Sequence, residues 1–385
     1  MLRTFLFRSS LVLFLFLLGS CTIDVSQSTP PPAPISIQTS APIGNLPTPE
    51  ATPTFLDPAH LPQTRLPVTW SALKLSGRLV FINDGQPSAD PILSVESLDL
   101  ATGVKTTLYQ SPPATWVYSL AVSPDEKQLV MGYATWDNNG NPSSGTLYQM
   151  PMDASSQPSA LIPTIDFRDQ YSQPDWSPDG KYLYFSHVNY SLVPPNQPYP
   201  DMEVMRMTYP GGKLEKIADQ GFWPRLSSDG TRLVYIHSDI QTGKNTIFVT
   251  DPDGKNAHQL SMIGPTVPDI IDAPIFTPDG QSILFSAPVP AKSSAPTWLE
   301  QVLGIGVVDA HNVPSEWWRM PVSGGAVTQL TNLQYAGLFA SIAPDGKHIA
   351  SFSTSGIFVM NPDASGITMI FSDLGGVYST ISWLP

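Results

Sequence analysis

The stretch Asp175–Ser186, DWSPDGKYLYFS, decides the fold because the chain repeats it. AVSPDEKQLVMG at 121 to 132, RLSSDGTRLVYI at 225 to 236, IFTPDGQSILFS at 275 to 286 and SIAPDGKHIASF at 341 to 352 are the other copies. At the centre, Ser, Pro, Asp and Gly suit successive positions of a type I turn: Pro fixes φ, and Gly supplies a left-handed residue for a bulge. Each copy reads as strand, tight turn, strand. Glu126 stands in place of Gly in one copy and Ser228 in place of Pro in another, so those two turns are expected to be looser or differently shaped.

The turn aspartates, Asp125, Asp179, Asp229, Asp279 and Asp345, recur at a period near fifty residues, enough for four short strands. A second strand pair follows each hairpin, as in EVMRMTYP then LEKIA and TIFVTDPDG then AHQLS. Four antiparallel strands per repeat make one propeller blade. An open ring would leave exposed sheet edges. Residues 78 to 109 supply three strands without a first one, and YSTISWLP at 378 to 385 supplies the missing strand, Trp383 aligning with Trp176 and Pro385 with Pro178. The sequence therefore predicts an all-β fold, a six-bladed β-propeller over residues 71–385 closed by a C-terminal strand.

The words WSPDG and IFVTDPDG resemble the TolB-like propeller repeats, relatives of WD-repeats, through five copies and a split sixth. The resemblance implies the fold and says less about activity, since propellers host binding and catalysis alike. TolB carries an α/β domain before its propeller. Here residues 1–20 read instead as a lipoprotein signal: Arg3 and Arg8, an apolar run from Leu11 to Leu18, then Leu18-Gly19-Ser20-Cys21, which resembles a bacterial lipobox with Cys21 as the lipidated residue. TolB's role with the peptidoglycan-associated lipoprotein is not carried over. Residues 21–70 are rich in Pro, Thr and Ser without apolar periodicity and read as a disordered tether.

Cys21 is the one cysteine, so no disulfide can form within the chain. Three of the 19 basic and three of the 32 acidic residues precede residue 71, which places the net charge of −13 on the later residues. That balance argues against a nucleic-acid partner, which would need a basic patch.

Long, non-repeating loops between second and third strands share one face by analogy with the resembling family, and they bring Trp136, Asp137, Tyr190, Tyr199, Trp298 and Trp317 forward as candidate binding residues. His187 and His237, eight residues after their turn aspartates, and His311 are the candidate metal ligands, although Ala287 and Ser353 occupy the matching positions of two other blades. Asp251-Pro252-Asp253-Gly254 lacks the Glu of a calcium loop, since Met262 stands there; Gly304-Ile305-Gly306 lacks a third glycine, and no G-x-S-x-G occurs. The expectation is an exported, monomeric, lipid-anchored propeller, fixed to a bacterial membrane through Cys21, that binds a cell-envelope protein or glycan without a cofactor. The alternative is a propeller enzyme of lyase or hydrolase type working from the loop-rich face.

Overall fold

The computed structural model describes residues 56–385 apart from 84–92, 113–114, 137–141, 164–168, 191–199, 240, 266, 289–312 and 373–379. The repeated turn keeps one hydrogen-bond pattern. In the copy at 177 to 182, the Ser177 N–H donates to the Tyr182 carbonyl and the Gly180 N–H to the Ser177 carbonyl. The Ser177 hydroxyl donates to Asp179 Oδ1 (2.7 Å) and accepts from the Tyr182 N–H (2.9 Å), while Asp179 Oδ1 also accepts from the Lys181 N–H (3.1 Å). Ser123, Ser227 and Thr277 hold Asp125, Asp229 and Asp279 in the same way, each at 2.6 Å.

The expectation of altered turns at Glu126 and Ser228 is corrected, because both keep these backbone bonds. Glu126 takes φ 58, beside 64 to 70 for Gly180, Gly230, Gly280 and Gly346. A left-handed backbone costs a side chain roughly 1–2 kcal/mol. Glu126 offsets part of that through an ion pair with Arg78 of the adjacent sheet.

Such bonds hold Asp125, Asp179, Asp229 and Asp279 below the usual carboxylate range, with Asp179 and Asp229 each at about 2. The main causes are side-chain hydrogen bonds, from Lys181 and then Ser177 at Asp179, and from Ser227 at Asp229. A carboxyl depressed in the fold binds fewer protons there than in the unfolded chain. Its contribution is complete above the unfolded value of 3.8 and is lost as pH falls toward about 2. Thermal melts across pH 5 to about 2 are expected to show a falling Tm below about pH 4, with a shallower fall in Asp179→Ala; equal slopes would contradict this role.

Apart from Met262–Ile263 and Gly325–Ala326, which pair as a small parallel sheet, the described strands form five hydrogen-bonded sheets, the largest made of two antiparallel sets, numbered as the second and third sheets, joined by one parallel bridge. The first sheet contains Arg78–Asn83, Ser94–Asp99 and Val104–Gln110. The second runs from Thr115–Val122 through Gln128–Trp136 and Pro142–Pro151 to Ser159–Ala160. The third comprises Asp169–Trp176, Tyr182–Asn189, Asp201–Thr208 and Leu214–Asp219, and a parallel bridge from Gly145 to Gln170 joins it to the second. The fourth is built on Gly221–Leu226, the fifth on Asp272–Phe276 and the sixth on Phe339–Ile342.

Closure by the C-terminal strand is present. Ser382–Leu384 pairs antiparallel with Arg78–Asn83, setting Trp383 opposite Leu79. Hydrogen bonds link each sheet to the next around a circuit. The Trp176 indole donates to Ala121 O, the Leu226 N–H to Asp175 Oδ2 and Arg232 to Gly280 O. The Trp317 indole donates to Ser351 Oγ and the Trp383 N–H to Ser341 Oγ. Thr380 completes it, its hydroxyl accepting from the Leu120 N–H (2.6 Å) and donating to Leu120 O (2.7 Å).

Apolar side chains fill the spaces between neighbouring sheets. One such cluster joins Val130 and Leu147 of the second sheet to Trp176, Leu183 and Phe185 of the third. Near the inner strands, Trp223 and Phe339 meet with ring centroids 5.2 Å apart, both in one cluster with Ala273 of the intervening sheet.

The chain divides into Met1–Pro49 and Glu50–Pro385, and all the described residues belong to the second unit. The tether expected to run to residue 70 is corrected at its end. Gln63–Arg65 adds a strand to the outer edge of the first sheet, and Trp70 is 1% exposed with its indole donating to Leu100 O (2.7 Å). Pro and Thr dominate the composition upstream, but Leu61, Leu66 and Val68 are apolar and pack on the sheets.

Candidate functional site

The strand Tyr182–Asn189 runs from the repeated turn toward the non-repeating loop, so its last residues stand at the loop-side rim of the third sheet. Register sets His187 between Tyr171 on one neighbouring strand and Glu203 on the other. His187 Nε2 lies 2.7 Å from Asp169 Oδ1 and Nδ1 lies 3.0 Å from Glu203 Oε2. The Tyr171 ring stacks on the imidazole at 4.6 Å and 15°. Lys216 extends the row, with Nζ 3.2 Å from Glu203 Oε1 and 2.6 Å from Asp219 Oδ1. Acid, imidazole, acid, ammonium and acid thus cross all four strands.

Burial, and then the charges of Asp169 and Glu203, push the Tyr171 phenol up to about 12, so it stays protonated at neutral pH. The Tyr118 hydroxyl donates to Tyr171 O (2.7 Å) and ties this rim to the second sheet. A carboxylate oxygen lies within hydrogen-bond distance of each ring nitrogen, which fixes the orientation of the His187 ring. It cross-links three strands. Among the described residues, no group of three or more His, Cys, Asp or Glu side chains is arranged to hold a metal ion.

Tyr190 follows directly on this strand and is 47% exposed. Trp136 ends its strand, pairing with Pro142. Asp137, Tyr199, Trp298, His311 and Cys21 lie outside the described residues. His237 holds the register position of His187 one sheet on, opposite Gly221 and Thr246, and its ring packs 5.1 Å from Phe248.

Trp317 is corrected as a binding aromatic. It belongs to the strand Ser315–Pro321, is 0% exposed and donates from its indole to Ser351 Oγ (2.9 Å). Trp318 alternates to the opposite side, where its indole donates to Ala287 O (3.1 Å). The Trp pair therefore fills two junctions between sheets rather than facing a partner.

At the opposite, turn-bearing end, clefts open between consecutive turns. One of about 420 Å³ lies between Pro124, Asp125 and Gln128 on one side and Trp176, Pro178 and Asp179 on the other. A second of about 350 Å³ repeats that wall with Pro344, Asp345 and His348 facing Trp383 and Pro385. They follow from the repeat itself, since equivalent residues line both.

No protein-family model and no curated protein matches the chain. Solved structures do. TolB from Acinetobacter baumannii superposes with a TM-score of 0.56 at 16% identity, over 80% of this chain and 67% of that one. A putative TolB from Agrobacterium tumefaciens gives 0.51 at 17% identity, covering 81% of this chain and 100% of its own. The fold is a TolB-like β-propeller. A chain of a nidogen/laminin complex gives 0.52 at 12% identity over 80% and 98% of the two chains, so the propeller architecture is shared well beyond similar sequences.

The four residues around His187 were not singled out by sequence. Asp169, Tyr171, Glu203 and Lys216 belong to three different strands and meet only through register. Aligning strand ends on their turn aspartates would have found Tyr171 and Glu203, because antiparallel pairing fixes what lies opposite position 187.

Proposed function

We propose that this chain is a six-bladed, lipid-anchored propeller outside the cytoplasm, held to a bacterial membrane through Cys21, whose loop-side rim binds a cell-envelope protein or glycan. The observation that carries this reading is the rim of the third sheet. His187 is held between Asp169 and Glu203, while Tyr190, three residues further along the chain, leaves 47% of its surface exposed. An exposed aromatic at the rim suits stacking on a partner. A chain of similar fold occurs in a nidogen/laminin complex, which supports a protein as the ligand class.

The test is capture of envelope proteins and glycans by the wild-type chain and by Tyr190→Ala and Asp219→Lys. Each change is expected to weaken capture about tenfold, roughly 1.4 kcal/mol. Undiminished capture by both variants would overturn the assignment of the rim.

A further inference from the structure

The outer edge of the first sheet is covered by the chain's own Gln63–Arg65, which pairs antiparallel with Val104–Thr106. Two flanking bonds pin the register: the Leu66 N–H donates to Gly103 O (2.8 Å) and the Thr107 N–H to Pro62 O (3.0 Å). Arg65 adds a bond from Nη1 to Thr102 O (3.4 Å). Nearly all of this recognition is backbone pairing. The three strand side chains are exposed, so little apolar burial holds the strand itself in place.

Gly103 is shaped to this contact. It takes φ 70, and a Cβ there would lie 2.5 Å from Leu66 O and 2.9 Å from the Val68 side chain. The covered strand carries no proline from Val104 to Gln110, so once vacated it presents unpaired N–H and C=O groups ready for another strand.

We propose that this edge is a strand-addition site and that its exchangeable occupant is the same segment, residues 56–66, of a second copy of the chain. Exchange rebuilds each of the bonds above in both copies and changes only the connection Pro67–Thr69, which ends at the fixed Trp70. That connection spans at most about 14 Å, so the two first sheets meet edge to edge. An unrelated strand would have to supply Leu61 and Leu66 equivalents in the same register to match it. Such a dimer departs from the monomer expected from sequence.

The test uses the full-length chain carrying Cys21→Ser, so that introduced thiols are the only ones. Gln63 and Thr106 face each other across the pair. Facing strand residues lie about 4.5–5.5 Å apart at Cα, within disulfide range. One copy carries Gln63→Cys and the other Thr106→Cys. The mixture is expected to yield a disulfide-linked species of twice the monomer mass that neither copy forms alone. Adding Gly103→Ala to the Thr106→Cys copy is expected to abolish it. The proposal is overturned if the mixture stays monomeric while a single chain bearing both cysteines closes its own bridge, or if Gly103→Ala leaves the dimer unchanged.

Discussion

Removing Ser382–Pro385 is expected to lower the melting temperature of the whole propeller by about 10 °C or more, since about 1 kcal/mol corresponds to roughly 2–4 °C at this size. Three losses coincide. Trp383, 7% exposed, leaves the largest cluster, and truncating a buried Trp costs about 3–5 kcal/mol. Its N–H no longer meets Ser341 Oγ and its indole no longer donates to Ser76 O. The strand Arg78–Asn83 also loses its inner partner, which opens an edge in a fold that otherwise closes on itself. The loss should appear as one cooperative transition at lower temperature, because neighbouring sheets share their packing. A shift within about 2 °C would mean that the last strand decorates the ring without closing it.

The second large effect is at the other end. Trp70→Ala is expected to cost about 3–5 kcal/mol. The indole is 1% exposed, packs with Leu79, Leu98 and Leu100, and donates to Leu100 O. A chain beginning at residue 71 should be destabilised at least as much relative to one beginning at residue 56. Equal stability for both starts, measured by denaturant titration, would contradict the placement of Trp70 in the core.

How much of this was legible in the sequence follows from what repeats. The turn words fixed the strand pairs and the period, and Trp383 aligned with Trp176 because both fill the same position between sheets. Glu126 misled because a residue type was read as a shape: the fold imposes the left-handed turn and Glu126 accepts its strain. The boundary at 70 misled because composition is averaged over a window, while Trp70 is placed by one indole pocket. Trp317 misled because a long insertion hid where the third strand begins. The row around His187 was illegible for another reason. Its members come from separate strands, and their meeting depends on register rather than on any local pattern.

In the proposed division of roles the repeated turns are scaffold and binding belongs to the loop-side rim. The most direct measurement places a photo-reactive phenylalanine analogue at position 190 in one chain and at position 128, in the cleft on the turn-bearing end, in another. Both are irradiated on the native surface, and the cross-linked products are identified by mass spectrometry. A specific partner is expected to cross-link from position 190 and none from position 128. A partner captured from position 128 and not from 190 would contradict that division.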